Sequence, residues 1–453
     1  MPSIVVCILA VLLFSLFLGS PVSSAMGFTA TIFLFMSVGL KSVNQFAVIA
    51  FSQGISINQL VAPLFIMMAE FLARGGIAED IYYVLNKWLR KIKGGLALST
   101  TLACTIFAAL CGSSPATAAA IGRISVEQMT KRGYKKDFAI GTVAGGGTLG
   151  IMIPPSITLV TYGILTETSI AKLLMAGLIP GLILSTLMCV SIIIRVRVNP
   201  GLIGEHKTDR GKNIASAANQ GAVSAIPVSD GASEMETTLL QDIGLALPAV
   251  ILILIVLGSM YSGMATPTES AGFGVVGAVV ILLLQKKMSV KVFVESMTAT
   301  AKTGTMIIFL MIAGFCMSYV LSYMGVATKM AEFIVNTGMN RWAIMIMLYV
   351  LWFILGCLMD PGSMIILTIP FIFPTLMALG FNPIWLGIVS TICVEIGMIT
   401  PPVGLNLFIL RSSTNVEMKY IIKGSLPYVM VLIIGLTILS IFPGIPLILP
   451  NLM

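Results

Sequence analysis

Leu110-Cys111-Gly112-Ser113-Ser114-Pro115-Ala116-Thr117 places helix breakers inside apolar sequence, and Gly150-Ile151-Met152-Ile153-Pro154-Pro155-Ser156 does so again 40 residues later. The second half of the chain repeats the pair. Met359-Asp360-Pro361-Gly362-Ser363-Met364 is followed by Gly397-Met398-Ile399-Thr400-Pro401-Pro402-Val403-Gly404. Pro154 and Pro401 are 247 positions apart, as are Gly177 and Gly424, and Gly76 and Gly325 are 249 apart. A single spacing held by separate anchors marks an internal duplication, and each copy has the same two interruptions.

The surrounding sequence identifies the solvent these breaks sit in. Of 453 residues, 57% are hydrophobic and 10% charged, whereas a soluble domain carries about 25% charged residues. Apolar runs of about twenty residues, enough to cross a hydrocarbon core of about 30 Å, recur along the chain. Ten such spans can be drawn besides the two interrupted hairpins, so an all-α polytopic membrane protein is expected. The first 25 residues lack the basic region of a signal peptide and read as a first transmembrane helix. The seven cysteines lie in apolar segments without metal-ligand or disulfide spacing.

Boundaries follow from the runs. Residues 1–59 read as an N-terminal helical hairpin, a scaffold element, with a polar connection from Lys41 to Gln59. Residues 60–198 are the first copy, with a re-entrant hairpin at 96–130 and a broken helix at 138–170. Glu79 to Lys93 alternates at helical spacing and suits an amphipathic surface helix. Residues 199–242 form a cytoplasmic linker, with a hydrophilic insertion from Asn199 to Glu236, and 243–301 a scaffold helix pair joined through Ala265 to Ser270. The second copy, 302–453, has a shorter surface helix at Val326 to Asn336, a hairpin at 343–379, a broken helix at 384–410 and a last span from Tyr428.

The net charge of +8 matters through its distribution. Lys and Arg favour cytoplasmic loops. Placing the base of the first hairpin inside puts 22 of the 26 Lys and Arg inside, leaving Lys41, Lys172, Lys329 and Arg341 outside. Both termini then fall outside, and the two hairpins enter from opposite faces. Two inverted-topology repeats, each with a re-entrant hairpin and a broken helix, are the architecture of secondary transporters that bind substrate at the repeat interface.

Breaking a helix inside a bilayer strands backbone groups at several kcal/mol each unless they find partners. Half-helix N-termini offer N–H groups to an anion, and unwound carbonyls and hydroxyls suit a hard cation. Ser113, Ser114 and Thr117 supply hydroxyls at the first tip, read as facing the Gly145 to Ser156 break. Asp360, Ser363 and Thr368 do so at the second, read as facing Thr400 and Asn406. The substrate and ion site is therefore expected among Ser113, Ser114, Thr117, Gly147, Pro154, Pro155, Asp360, Ser363, Thr400, Pro401, Gly404 and Asn406, with Na⁺ at Ser113, Ser114, Thr117, Asp360 and Thr400. The competing reading of each hydroxyl is packing, with Ser or Thr bonded back to a carbonyl. Asp360 and Glu395, acidic in apolar surroundings, are functional candidates on cost alone and are equally able to carry protons. Gly145-Gly146-Gly147 lacks a P-loop ending, so no ATPase is expected. Neither enzymatic activity, nor a cofactor, nor nucleic acid is expected.

At four motifs the chain resembles the large membrane (permease) subunit of the tripartite ATP-independent periplasmic (TRAP) transporters. These are Gly112-Ser113-Ser114-Pro115-Ala116-Thr117-Ala118-Ala119-Ala120-Ile121-Gly122, Leu149 to Ser156, Ala265-Thr266-Pro267-Thr268-Glu269-Ser270-Ala271, and Glu395-Ile396-Gly397-Met398-Ile399-Thr400-Pro401-Pro402-Val403-Gly404-Leu405-Asn406. The resemblance extends over nearly the whole chain. It implies an elevator-type symporter in a bacterial or archaeal cytoplasmic (inner) membrane. Such a symporter takes up a small organic acid with Na⁺, fed by a periplasmic substrate-binding protein and paired with a small membrane subunit expected as a separate chain. The long 199–236 insertion and Glu127, where a proline is common, depart from the pattern. Other readings of the chain are a stand-alone dicarboxylate or anion symporter, a channel, or a membrane scaffold.

Overall fold

The computed structural model describes all residues except Met1, Leu40, 205–238, Ala327, Thr328, Met330, Ala331 and 333–337. Most of the 199–236 insertion and of the surface helix read at Val326 to Asn336 lies outside the described residues.

Among the described residues the chain is built of α-helices joined by short turns and 3-10 segments. The N-terminal hairpin is α1 (Pro2–Phe17) and α2 (Val22–Val38), reversed at Gly19 and Pro21. Lys41 to Gln59 is not a polar connection. It contains a helix, α3 (Lys41–Gly54), and a 3-10 turn (Ile57–Leu60). The polar start at Lys41, Ser42, Asn44 and Gln45 hides an apolar run, Phe46 to Phe51, of which Phe46 and Ile49 pack on the core.

Helices α4 (Val61–Arg74) and α5 (Ile77–Leu89) follow. The amphipathic pattern of α5 is real, and its apolar side, including Ile77, Ile81, Tyr82 and Val84, is buried within the protein. Ion pairs tether α5 to the middle of the chain. Lys87 meets the buried Asp242 at 2.6 Å, and Asp80 pairs with Lys287.

The first re-entrant hairpin, read at 96–130, is α6 (Gly95–Cys111) and α7 (Ser114–Lys131). The first broken span is α8 (Lys136–Thr148), a 3-10 turn (Leu149–Ile151), an irregular stretch holding a cis Pro154–Pro155 bond, and α9 (Ile157–Thr166). The long α10 (Ile170–Val198) closes the copy.

The middle pair is α11 (Leu239–Tyr261) and α12 (Pro267–Leu284), followed by α13 (Val290–Tyr323). Ala265 to Ser270 is more than a connection, because Thr266 and Glu269 form a capping box that starts α12 at Pro267. Likewise α13 begins at Val290, capped by Ser289, so that this one helix crosses the boundary drawn at residue 302. The second copy comprises the hairpin α14 (Arg341–Leu358) and α15 (Pro361–Ala378) and the broken span α16 (Pro383–Met398) and α17 (Leu405–Thr414), which flanks a cis Pro401–Pro402 bond. Its last helix, α18 (Met418–Ile441), starts ten residues before Tyr428.

Eight helices among the described residues are long and apolar enough to cross a membrane, and they include both arms of the second hairpin. The chain is a multi-pass membrane protein. The difference from ten drawn spans arises because α1, α2 and the half-helices of the broken spans fall below full crossing length.

Two bodies of packing emerge. In one, α4 and α13 lie at the centre, with α2, α3 and α12 against them and α11 on α12. The other contains both hairpins, both broken spans, α10 and α18. They touch where α13 meets α15 and α4 meets α6, and α5, packed on both α6 and α11, bridges them.

Small residues permit the closest approaches, as expected where lipid is no less apolar than the helix surface. At the crossing of α8 and α18, a Cβ on Gly141 would lie 2.1 Å from the Gly424 carbonyl oxygen, and one on Gly424 would lie 2.0 Å from that of Asp137. Gly141→Val should therefore cost about 3 kcal/mol or more through overpacking. Gly272→Ala in α12, with nothing within 4 Å of the new methyl, should be neutral or stabilising by up to about 1 kcal/mol. Thermal unfolding of the purified variants in detergent checks both.

Candidate functional site

The site is built from the ends of interrupted helices. Gly112, with φ +63°, ends α6 in a left-handed conformation that reverses the chain at the first tip. Its Cβ-less side lies against the next break, since an added methyl would sit 2.3 Å from the Pro155 carbonyl oxygen. Ser113 caps α7 by accepting the Ala116 N–H. Asp360, 247 positions later, caps α15 in the same place. Its carboxylate accepts both the Ser363 N–H, at 3.0 Å, and the Ser363 hydroxyl.

Each broken span is tied to the hairpin of its own copy through the backbone. The Ile157 N–H donates to the Gly112 carbonyl at 3.3 Å, and the Gly404 N–H to the Cys357 carbonyl at 2.9 Å. The two donors are themselves 247 positions apart. The equivalent glycines Gly150 and Gly397 make room for this, since a Cβ on either would lie under 3 Å from backbone at Ser113 or at Gly356 and Cys357.

The two tips meet at one cavity of about 250 Å³. Gly112, Ser113 and Pro115 line it from the first hairpin, and Asp360, Pro361 and Gly362 from the second. Thr158 and Thr161 enter from α9, and Thr303, Met306 and Leu310 from α13. The N-termini of α7 and α15 therefore open into the same space. Asp360 is the one charged residue in the lining, which holds no Lys, Arg or His. Larger cavities near Arg123 and near Glu167 lie away from the tips.

A second polar cluster crosses between the copies. Ser114, fully buried, does not face only the break of its own repeat. Its hydroxyl donates to Glu395 Oε2 of α16 at 3.1 Å and accepts from Asn406 Nδ2 of α17 at 2.6 Å. Asn406 correspondingly turns to the first hairpin rather than to Asp360.

The remaining residues expected at the site are placed as follows. Thr117 and Thr400 donate their hydroxyls to carbonyls four residues back, those of Ser113 and Ile396. Thr368 accepts from Trp352 Nε1 at 3.1 Å and bonds back to Met364, linking the arms of the second hairpin. Gly147 is a packing position, where a Cβ would meet that of Ala118 at 2.9 Å. Pro154 and Pro155, like Pro401 and Gly404, lie in the irregular stretches between half-helices. Sequence reading did not select Thr158, Thr161 or Thr303. The first two lie three residues apart directly after a break, which was the available signal.

Comparison with known proteins agrees with this architecture. Residues 6–445 match the family described as the tripartite ATP-independent periplasmic transporter, DctM component. The C4-dicarboxylate TRAP transporter large permease protein DctM of Pseudomonas aeruginosa is 34% identical over 411 residues, covering 90% of each chain. The ectoine TRAP transporter large permease protein TeaC of Halomonas elongata is 29% identical, covering 96% of each. The isethionate TRAP transporter permease protein DctMQ of Oleidesulfovibrio alaskensis is 30% identical over 96% of this chain and 65% of its own length. The crystal structure of the YdaH transporter of Alcanivorax borkumensis shares the fold with a TM-score of 0.59 at 17% identity, covering 90% of this chain and 89% of that one.

The cross-repeat bonds of Ser114 make a measurable coupling. A double-mutant cycle of Ser114→Ala with Asn406→Ala should give about 0.6 to 1.7 kcal/mol, the range for hydrogen bonds between membrane helices. The same cycle of Ser114→Ala with Thr368→Ala should give none. Reversible unfolding in bicelles measures both couplings.

Proposed function

The chain belongs to the DctM-component family of tripartite ATP-independent periplasmic transporters, and from that membership we propose that it takes up a small organic anion by Na⁺ symport. It does so in the cytoplasmic membrane, as the large permease of a system with a small membrane subunit and a periplasmic substrate-binding protein. Both termini lie on the outer side and the 199–242 linker on the inner side.

The observation that carries this reading is the convergence of two helix N-termini, at Ser113 and Asp360, on one cavity between the copies. Such ends favour negative charge. Because the lining holds a carboxylate and no basic side chain, N–H groups alone would have to balance both Asp360 and an anionic substrate. A co-bound cation removes that conflict, and the hydroxyls and unwound carbonyls of the tips and breaks suit Na⁺. Sodium at Ser113 and Asp360, the two of the expected sodium positions that line the cavity, links ion and substrate occupancy in this way.

C4-dicarboxylate and sialic acid, named for relatives, both present a carboxylate, so the transferable property is the anionic group. Division of the packing into two bodies, with the hairpins in one, supports an elevator-type movement of that body past α4 and α13.

Proteoliposomes containing this chain, its small subunit and a loaded binding protein should accumulate substrate when an inward sodium gradient is imposed. Transport unchanged without sodium and driven by a pH gradient alone would overturn the sodium assignment. Ser114→Ala and Asp360→Ala should each lower uptake about tenfold or more, equivalent to about 1.4 kcal/mol, with membrane insertion intact. Normal transport by both variants would place the site elsewhere.

A further inference from the structure

Glu395 lies in the last turn of α16 and Asn406 in the first turn of α17, so the second break sits between them. Glu395 is 2% exposed and Asn406 0%. Both use one polar atom on Ser114, and each has another left over. Glu395 Oε1 and Asn406 Oδ1 are buried with no hydrogen-bond donor. An ionised carboxylate and an amide carbonyl are both acceptors, so neither can satisfy the other.

Among the described residues no Lys or Arg forms an ion pair with Glu395. The helices packed on α16 carry their cations at their ends, with Arg195 in the last turn of α10 and Arg411 in that of α17. Beside Glu395, Val394 and Gly397 pack against Gly356 and Cys357 of α14. A buried carboxyl group with one hydroxyl donor and no basic partner is either protonated or balanced by a bound cation.

We propose that Glu395 Oε1, Asn406 Oδ1 and the remaining lone pair of Ser114 Oγ form a binding site for an alkali cation, sodium in this system. Hard cations take oxygen ligands of these kinds. The site differs from the sodium position at Ser113 and Asp360 in its place: none of its three residues lines the cavity at the hairpin tips, and its oxygens come from the first hairpin and the second broken span. A bound cation therefore fastens the first hairpin to the second broken span, so that occupancy in one copy is felt by the other. The inference rests on the symport reading only for the identity of the ion.

The test is sodium binding to the purified full-length chain, without substrate or binding protein. Radiolabelled sodium and sodium-dependent thermal stabilisation are both read, with choline chloride holding ionic strength constant. Glu395→Gln keeps the shape and an acceptor for Ser114 but removes the charge. It should raise the half-saturating sodium concentration about tenfold or more, equivalent to about 1.4 kcal/mol. Unchanged binding in Glu395→Gln would overturn the site and leave Glu395 as a neutral carboxylic acid.

Should that variant fail to fold, Asn406→Ala decides. Loss of the Oδ1 ligand should weaken sodium binding several-fold, and unchanged binding contradicts the site. Sodium-independent uptake together with Glu395-sensitive sodium binding would sink the symport reading alone. Sodium-driven uptake with binding indifferent to Glu395 would sink this site alone.

Discussion

The structure depends on how backbone groups freed by a helix break inside a bilayer are satisfied. In water a break is inexpensive, but in hydrocarbon each stranded N–H or C=O costs several kcal/mol. Here the hairpin of each copy answers the break of the same copy, through Ile157 N–H to Gly112 and Gly404 N–H to Cys357. Those bonds require close backbone contact, hence glycine at 150 and 397. The hairpins cannot be independent insertions, since each is half of a unit whose other half is a broken span.

Once the breaks are satisfied in this way, the chemistry of the cavity follows. Two N-terminal ends, hydroxyls from Ser113, Thr158, Thr161 and Thr303, and the single carboxylate of Asp360 meet between the copies. The polar groups are mostly backbone or neutral, and this explains why the site is hard to see as a cluster of charged side chains. The cross-repeat cluster at Ser114 adds what symmetry alone cannot. Asn406 and Glu395 have no counterparts of like chemistry 247 positions earlier, where Leu159 and Thr148 stand. The copies are alike in backbone and different in side-chain function.

Much of this was legible in the sequence because it is local or periodic. Breakers such as Gly112, Pro154-Pro155 and Pro401-Pro402 announce themselves within apolar runs, and the constant spacing pairs them. The family resemblance rested on the same residues. What escaped was of two kinds. Polar residues at a helix start conceal α3, whereas the start of α12 is marked in the sequence by the capping signature Thr266-Pro267-Thr268-Glu269. The partners of Ser114 are 281 and 292 positions away, and no periodicity joins residues that meet only through tertiary packing. The α13 side of the cavity escaped for that reason too, since Thr303 looks like any residue at the edge of a span.

The central claim is that two hairpins entering from opposite membrane faces bring their tips to one cavity. The most direct measurement is labelling of single cysteines, in a background free of the native ones, at the exposed hairpin bases Arg132 and Ala378. A membrane-impermeant maleimide added outside intact cells should label Ala378→Cys and reach Arg132→Cys only after the membrane is opened. Labelling of both positions from the same side would contradict the inverted arrangement and the shared cavity built on it.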